Sequence, residues 1–227
     1  MRKVFTLRCT GKLLRRLGAS PSVSVEQPTT VLGDWYATLI HAPRLQVVLV
    51  VSERTLLPVV VPAREARTLL PRFRVALAAM LIKLDVRPSV VEREMHAMDS
   101  VTVGKTRSRT VLGSMNDFIR MSKVDPWPPS SLEELSLELA CAPCGPIGMK
   151  SPDDLTRDLL NAEGLQRATV ETRALSGGYS VSVPELPGCF TEGETAVEIR
   201  RMVREAIGLW LEAASTPAAA RRREGSR

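Results

Sequence analysis

Histidine occurs only twice in the 227 residues, as His41 and His96. Each stands alone, so neither a Ser/His/Asp nor a Cys/His catalytic arrangement can be assembled around it. Aromatic residues make up 4% of the chain, which leaves any core to Val, Leu, Ile and Ala. The four cysteines, Cys9, Cys141, Cys144 and Cys189, are too few and too scattered for a disulfide framework. No uncharged apolar run approaches the roughly 18 residues that span a bilayer. The basic N-terminus lacks an apolar secretory core, because Arg8 and Lys12 interrupt it. A Gly-rich phosphate loop is also missing. These absences point to a cytoplasmic protein with no membrane segment. The composition itself is ordinary and globular, 44% hydrophobic and 25% charged.

Charge is unevenly placed. Residues 1–150 carry 21 Lys and Arg against 13 Asp and Glu, a surplus of eight positive charges. Residues 151–213 carry 6 against 11, a surplus of five negative ones. A basic part followed by an acidic part suggests two modules with different partners.

The first part reads as mixed α and β. Val4 to Arg8 is a strand, and Thr10 caps a short helix carrying Leu13, Leu14 and Leu17 that Gly18 stops. Trp35 to Ile40, Leu45 to Val51 and Leu56 to Val61 are strand-like runs joined by short turns, which predicts an antiparallel meander. From Arg64 the period changes to three and four, with Leu69, Phe73, Ala76, Met80 and Leu84 on one helical face. Further helices are expected over Ser89 to Met98 and Thr110 to Lys123. Between them lie a short strand, Val101 to Gly104, and a basic loop with Lys105, Arg107 and Arg109. Ser131 and Glu134 form a capping box for a helix over Leu132 to Leu139. The Pro-, Gly- and Cys-rich stretch Ala140 to Pro152 reads as a domain boundary.

The second part is shorter and better patterned. A strand over Ala168 to Ala174 turns at Ser176-Gly177-Gly178 into a returning strand with Tyr179, Val181 and Val183 on one side. A rigid bend, Pro184 to Gly188, leads to Cys189-Phe190-Thr191. Thr195 and Glu198 then make a second capping box, opening a helix with Ile199, Val203, Ala206 and Trp210 on its apolar face.

Residues 178–213 carry a specific string: Gly178-Tyr179, Pro184 with Leu186-Pro187-Gly188-Cys189, Gly193 with Thr195, and Glu205-Ala206-Ile207. At this spacing it resembles the HicB family of antitoxins, over about residues 166–213. The resemblance implies a partial ribonuclease-H-like module, three strands and a helix, that binds and blocks a small basic HicA-like toxin which cleaves messenger RNA. It implies no nuclease activity in this chain. It also places the partner-binding surface around Tyr179, Glu185, Leu186 and Phe190, and acidic Glu185, Glu192 and Glu194 cluster around that bend, where a basic toxin would dock. Many HicB proteins carry a DNA-binding segment after the helix. Here only Ser215-Thr216-Pro217 and an Arg-rich tail follow, so DNA binding is not expected. A homo-oligomer is compatible with the pattern.

The first part resembles an uncharacterised bacterial domain of unknown function. The matching strings are Leu32 to Ala37, Glu53 to Ala63 and Arg109 to Phe118. That likeness brings no activity with it. From the residues themselves, Asp34, Trp35, Asn116 and Asp117 are the polar and aromatic candidates for a site, with turn and helix-cap duty as the simpler reading. Cys141-Ala142-Pro143-Cys144 has metal or redox spacing but no second pair, and two ordinary linker cysteines explain it better.

The expected fold class is α+β. An N-terminal mixed α/β meander domain (residues 1–145) and a linker (146–165) precede the β-β-β-α module (166–213) and a flexible tail (214–227). The expected function is that of a non-enzymatic antitoxin without metal or cofactor. The alternative makes the N-terminal domain an enzyme or nucleic-acid-acting effector, restrained or oligomerised in cis by the HicB-like module.

Overall fold

Three apolar strand runs in close succession build the middle of the larger sheet. In the computed structural model they are β2 (Trp35–His41), β3 (Gln46–Ser52) and β4 (Pro58–Pro62), paired antiparallel as a meander. Two strands distant in sequence, β1 (Val4–Cys9) and β5 (Ser100–Lys105), extend this sheet in parallel, giving the order β4-β3-β2-β1-β5. The structure describes residues 4–22, 27–41, 46–122, 131–166, 171–175, 178–183, 189–195, 198–199, 201–203, 205–207 and 209. The expected turn at 42–44, the break at 125–130, the bend at 184–188, Trp210 and the tail from 214 lie outside them.

Helices cover both faces of the sheet. On one face, Phe5, Leu7, Trp35 and Val50 meet α1 (Gly11–Leu17), α2 (Leu69–Lys83) and α3 (Pro88–Ala97). On the other, Tyr36, Val47, Leu49 and Val60 meet α4 (Arg109–Met121) and α5 (Leu132–Ala140). Burial on two sides explains why β3 and β4 read as continuous Val/Leu runs, not as alternating ones.

Local signals act as the residue types dictate. Gly18 takes a left-handed φ of 59° and ends α1, its N–H reaching Arg15 O while Ala19 N–H reaches Leu14 O. Ser131 Oγ accepts from Glu134 N–H at 3.0 Å and opens α5. Thr10 does not cap α1 with its side chain. Its Oγ1 turns instead to Thr38 Oγ1, 3.1 Å away on β2.

The stretch read as a linker is largely helix. α6 (Pro152–Gln166) starts where Ser151 precedes Pro152 and acidic Asp153 and Asp154 fill the first turn, a favourable helix opening. Leu160 is fully buried in the first core. Thr156 Oγ1 donates to Thr55 Oγ1 at 2.7 Å, and Thr55 is itself bonded to Ser52 Oγ at 2.8 Å, all three buried. Arg87 donates to Asn161 O at 3.1 Å. The first compact unit therefore runs to Glu163, and the second begins at Gly164.

In the second unit β6 (Glu171–Leu175), β7 (Gly178–Ser182) and β8 (Phe190–Gly193) form an antiparallel sheet in that order. Thr195 Oγ1 accepts from Glu198 N–H at 3.2 Å, so half of the expected capping box forms there. The other half is displaced by one residue, with Glu198 Oε2 accepting from Glu194 N–H at 3.2 Å. Ile199 and Val203 from the helical residues that follow close a small core with Val181, Val183 and Cys189.

Candidate functional site

The N-terminal candidates do not converge. Asp34, at the mouth of β2, is 1% exposed. Its Oδ1 accepts from Thr6 N–H at 2.8 Å, and its Oδ2 accepts from Arg8 Nε and Nη2 at 2.9 and 2.6 Å. Arg107 Nη2 lies 3.6 Å from the same Oδ2 and 3.3 Å from Glu53 Oε1. Tyr36 completes the chain, donating its hydroxyl to Glu53 Oε1 at 3.2 Å. Strand alternation puts Thr6 and Arg8 on the same face of β1, opposite buried Leu7 and Cys9. Gly104 pairs with Arg8 in register. A side chain there would place Cβ 3.0 Å from Thr6 Cγ2 and 3.6 Å from Arg8 Nη1, so glycine leaves room for the guanidinium.

Two cations and two carboxylates thus match across β1, β2, the turn after β3 and the loop after β5. Burial, then the charge of Glu53, pushes the Tyr36 phenol upward. Burial acts to lower the Arg107 pKa, but hydrogen bonds to Tyr36 and Glu53 outweigh it and the net direction is up. Both shifts favour the forms already present at neutral pH. This arrangement ties strands together; it offers no activated base or nucleophile.

Trp35 belongs to the core. Its ring is fully buried, with its centroid 4.8 Å from that of Phe73 in an edge-on contact. Asn116 and Asp117 sit on the exposed face of α4, where Asp117 pairs with Arg120 one turn away. Asn116 instead borders a cleft of about 580 Å³ beside Lys12, Arg15 and Thr38. Sequence reasoning missed this cleft, as it missed Arg8, Tyr36 and Glu53. A charged residue inside the apolar strand run Val4–Cys9 was the available signal for Arg8.

Cys141 is exposed and donates to Asp153 Oδ2 at 3.2 Å, a bond that raises its pKa. Burial raises that of Cys144. Both thiols are held protonated at neutral pH, the form least suited to metal binding or attack. Among the described residues, no group of three or more His, Cys, Asp or Glu gathers where a metal ion could be held.

In the second unit the strand register separates the partner-binding candidates. Phe190 pairs with Ser182 and Glu192 with Ser180, which places them on the outer face of the sheet. Phe190 is 71% exposed on the edge strand β8, and Glu192 and Glu194 are exposed as well. Tyr179 shares the opposite face with Val181 and Val183 and packs on their core. It therefore does not share a surface with Phe190. Glu185 and Leu186 lie outside the described residues.

Comparison with known proteins separates the same two parts. Residues 6–155 match the family described as "Domain of unknown function (DUF6933)", and residues 167–221 match "HicB_like antitoxin of bacterial toxin-antitoxin system". The chain is a DUF6933 protein carrying a HicB-like antitoxin module. The UPF0150 protein Ta0767 of Thermoplasma acidophilum is 40% identical over 48 residues, 21% of this chain and 70% of that protein. No solved structure matches. The change between the two families falls within α6, where the first compact unit also ends. No helix among the described residues is long and apolar enough to cross a membrane.

Proposed function

We propose that this DUF6933–HicB protein is a cytoplasmic antitoxin whose C-terminal module binds and neutralises a small, basic, messenger-RNA-cleaving HicA-like toxin. The observation that carries this reading is the HicB-like match over residues 167–221. The outer face of the module's sheet supports it, since exposed Phe190 stands beside acidic Glu192 on an edge strand. An aromatic anchor with acidic neighbours suits a basic partner. The ring supplies apolar area, and the carboxylates steer and orient the encounter. The module acts by covering its partner, not by catalysis.

Co-expression of the full chain with HicA-like toxins, starting with any encoded beside it, tests this. Growth is restored and the two proteins co-purify if the reading holds. Failure of both rescue and binding against linked and related HicA-like toxins would overturn it. The cis-restrained effector then becomes the leading account, favoured by the fact that the first unit has a cleft of its own.

A further inference from the structure

The parallel strands β1 and β5 are neighbours, but the helices that follow them leave on opposite faces of the sheet. α1 buries Leu13 and Leu14 in the first core, and α4 buries Val111, Met115 and Phe118 in the second. A crevice opens where such helices diverge, beyond the carboxyl ends of the strands. In open α/β sheets that is where ligands bind. The cleft of about 580 Å³ opens just past the carboxyl end of β1, on its β2 side, between α1, the far end of β2 and α4. Its size is that of a small-molecule site.

Its lining is one-sided in charge. Lys12 and Arg15 stand one turn apart on α1, and among the described residues no carboxylate borders the space. The nearest acid in sequence to the α4 wall, Asp117, is engaged by Arg120. Arg16, on the same helix, is fixed by Ala63 O at 2.7 Å. Among the described residues Lys12 and Arg15 have no such partner. Asn116 and Thr38 add an amide and a hydroxyl. Leu39, Ile40 and Ile119 supply an apolar wall.

We infer that this cleft binds a nucleotide-sized phosphate monoester, its phosphate held by Lys12 and Arg15 and its organic part laid against Ile40 and Ile119. Two cations with no carboxylate beside them among the described residues suit a dianion better than a single carboxylate, and a phosphate monoester carries close to two charges at neutral pH. Arg supplies a planar fork of donors and Lys a point charge, and both are common phosphate partners. The apolar wall distinguishes such a ligand from free phosphate. The site is independent of the toxin-binding proposal, since every lining residue among those described belongs to the first unit.

Calorimetric titration of the full chain with 5′-AMP tests the assignment, with adenosine and inorganic phosphate as controls. One-to-one binding of 5′-AMP is expected, tighter than either control and weakened by added salt. The Lys12→Ala/Arg15→Ala double variant should bind at least ~10-fold more weakly, corresponding to the loss of one or more charge-assisted contacts. Both side chains are exposed, so circular dichroism should be unchanged, and single Lys12→Gln and Arg15→Gln variants repeat the test without truncation. Lys83→Ala, whose ammonium faces Glu133 at 2.9 Å, should leave binding intact. Absence of binding at millimolar 5′-AMP overturns the proposal, as does binding that survives the double variant. Adenosine binding as tightly as 5′-AMP would remove the anion role. Equal binding of inorganic phosphate would remove the organic one.

Discussion

Arg8 closes on Asp34 with two nitrogens on one carboxylate oxygen, at 2.9 and 2.6 Å, and both side chains are withdrawn from water. A buried ion pair of this kind is costly to break, because removing one partner strands the other charge in a poor solvent. Asp34→Ala should therefore destabilise the protein by ~3–5 kcal/mol. Arg107, whose side chain is 58% exposed, touches the same carboxylate from the solvent side. Arg107→Ala should cost no more than ~1 kcal/mol, the usual range for an exposed pair. Urea unfolding of the full chain separates the two. Equal losses would mean that the outer arginine matters as much as the inner one.

Cys9 makes alkaline stability a second test. It is 1% exposed, and burial pushes its pKa from 9.0 up to about 12. The folded state thus favours the neutral thiol. Its contribution is fully present below about pH 9 and is lost as pH rises from there toward about 12. Tyr36, also raised, acts in the same direction above its ordinary value of 10.0. Urea midpoints should fall steeply over this window. Cys9→Ala should lower stability near neutral pH through lost packing but flatten the alkaline slope. An unchanged slope would assign the alkaline loss to other groups.

Helix α6 sets where the first domain can be cut. A fragment ending at residue 166 should fold, because it keeps Leu160 in the core and Thr156 on Thr55. A fragment ending at residue 145 loses both. It should be less stable by several kcal/mol: ~1.5–3 for burial of the leucine, plus ~1–3 for a hydroxyl pair left short of a partner. Thermal melts of the two fragments decide this. Equal melting temperatures would show that α6 is dispensable.

The HicB-like module offers a paired test of fold against binding. A Cβ on Gly178 would lie 2.6 Å from Gly193 O and 3.2 Å from Glu194 Cα, all backbone, so nothing can give way cheaply. Gly178→Ala should disrupt the end of the β7–β8 pairing and lower the module's melting transition. Phe190→Ala removes a ring that is 71% exposed. It should change stability by no more than ~0.5 kcal/mol. If the ring anchors the toxin, the same change weakens binding by ~1 kcal/mol or more. Charge reversal at Glu192 and Glu194 should slow association, most visibly at low salt. A Phe190→Ala protein that rescues growth fully and binds unchanged would move the anchor elsewhere.

Much of this protein is legible in its amino-acid sequence, wherever the determining forces act over a few residues. The meander β2–β3–β4 follows from consecutive apolar runs with short turns, and Gly18 and Ser131 mark helix ends through their own backbone freedom and hydroxyl. The HicB-like string is legible because its glycines, prolines and caps have fixed local tasks. Even α6 has a local signal, in Ser151-Pro152-Asp153-Asp154, that the surrounding Pro/Gly-rich composition obscures.

Tertiary structure alone decided the rest. That β1 pairs with both β2 and β5 depends on contacts between segments some 96 residues apart, Val4 with Ser100, which no local period encodes. The same pairing sets Arg8 beside Gly104 and against Asp34, turning a site candidate into a buried tie between strands. Register, not residue type, turned Tyr179 toward the core and left Phe190 outside, because side chains alternate across a strand. The cleft beside Lys12 and Arg15 forms where α1, the far end of β2 and α4, distant in sequence, come together. Sequence by itself determined the local elements and the family of each part. Which side chains meet, and which face water, was settled by long-range pairing and packing.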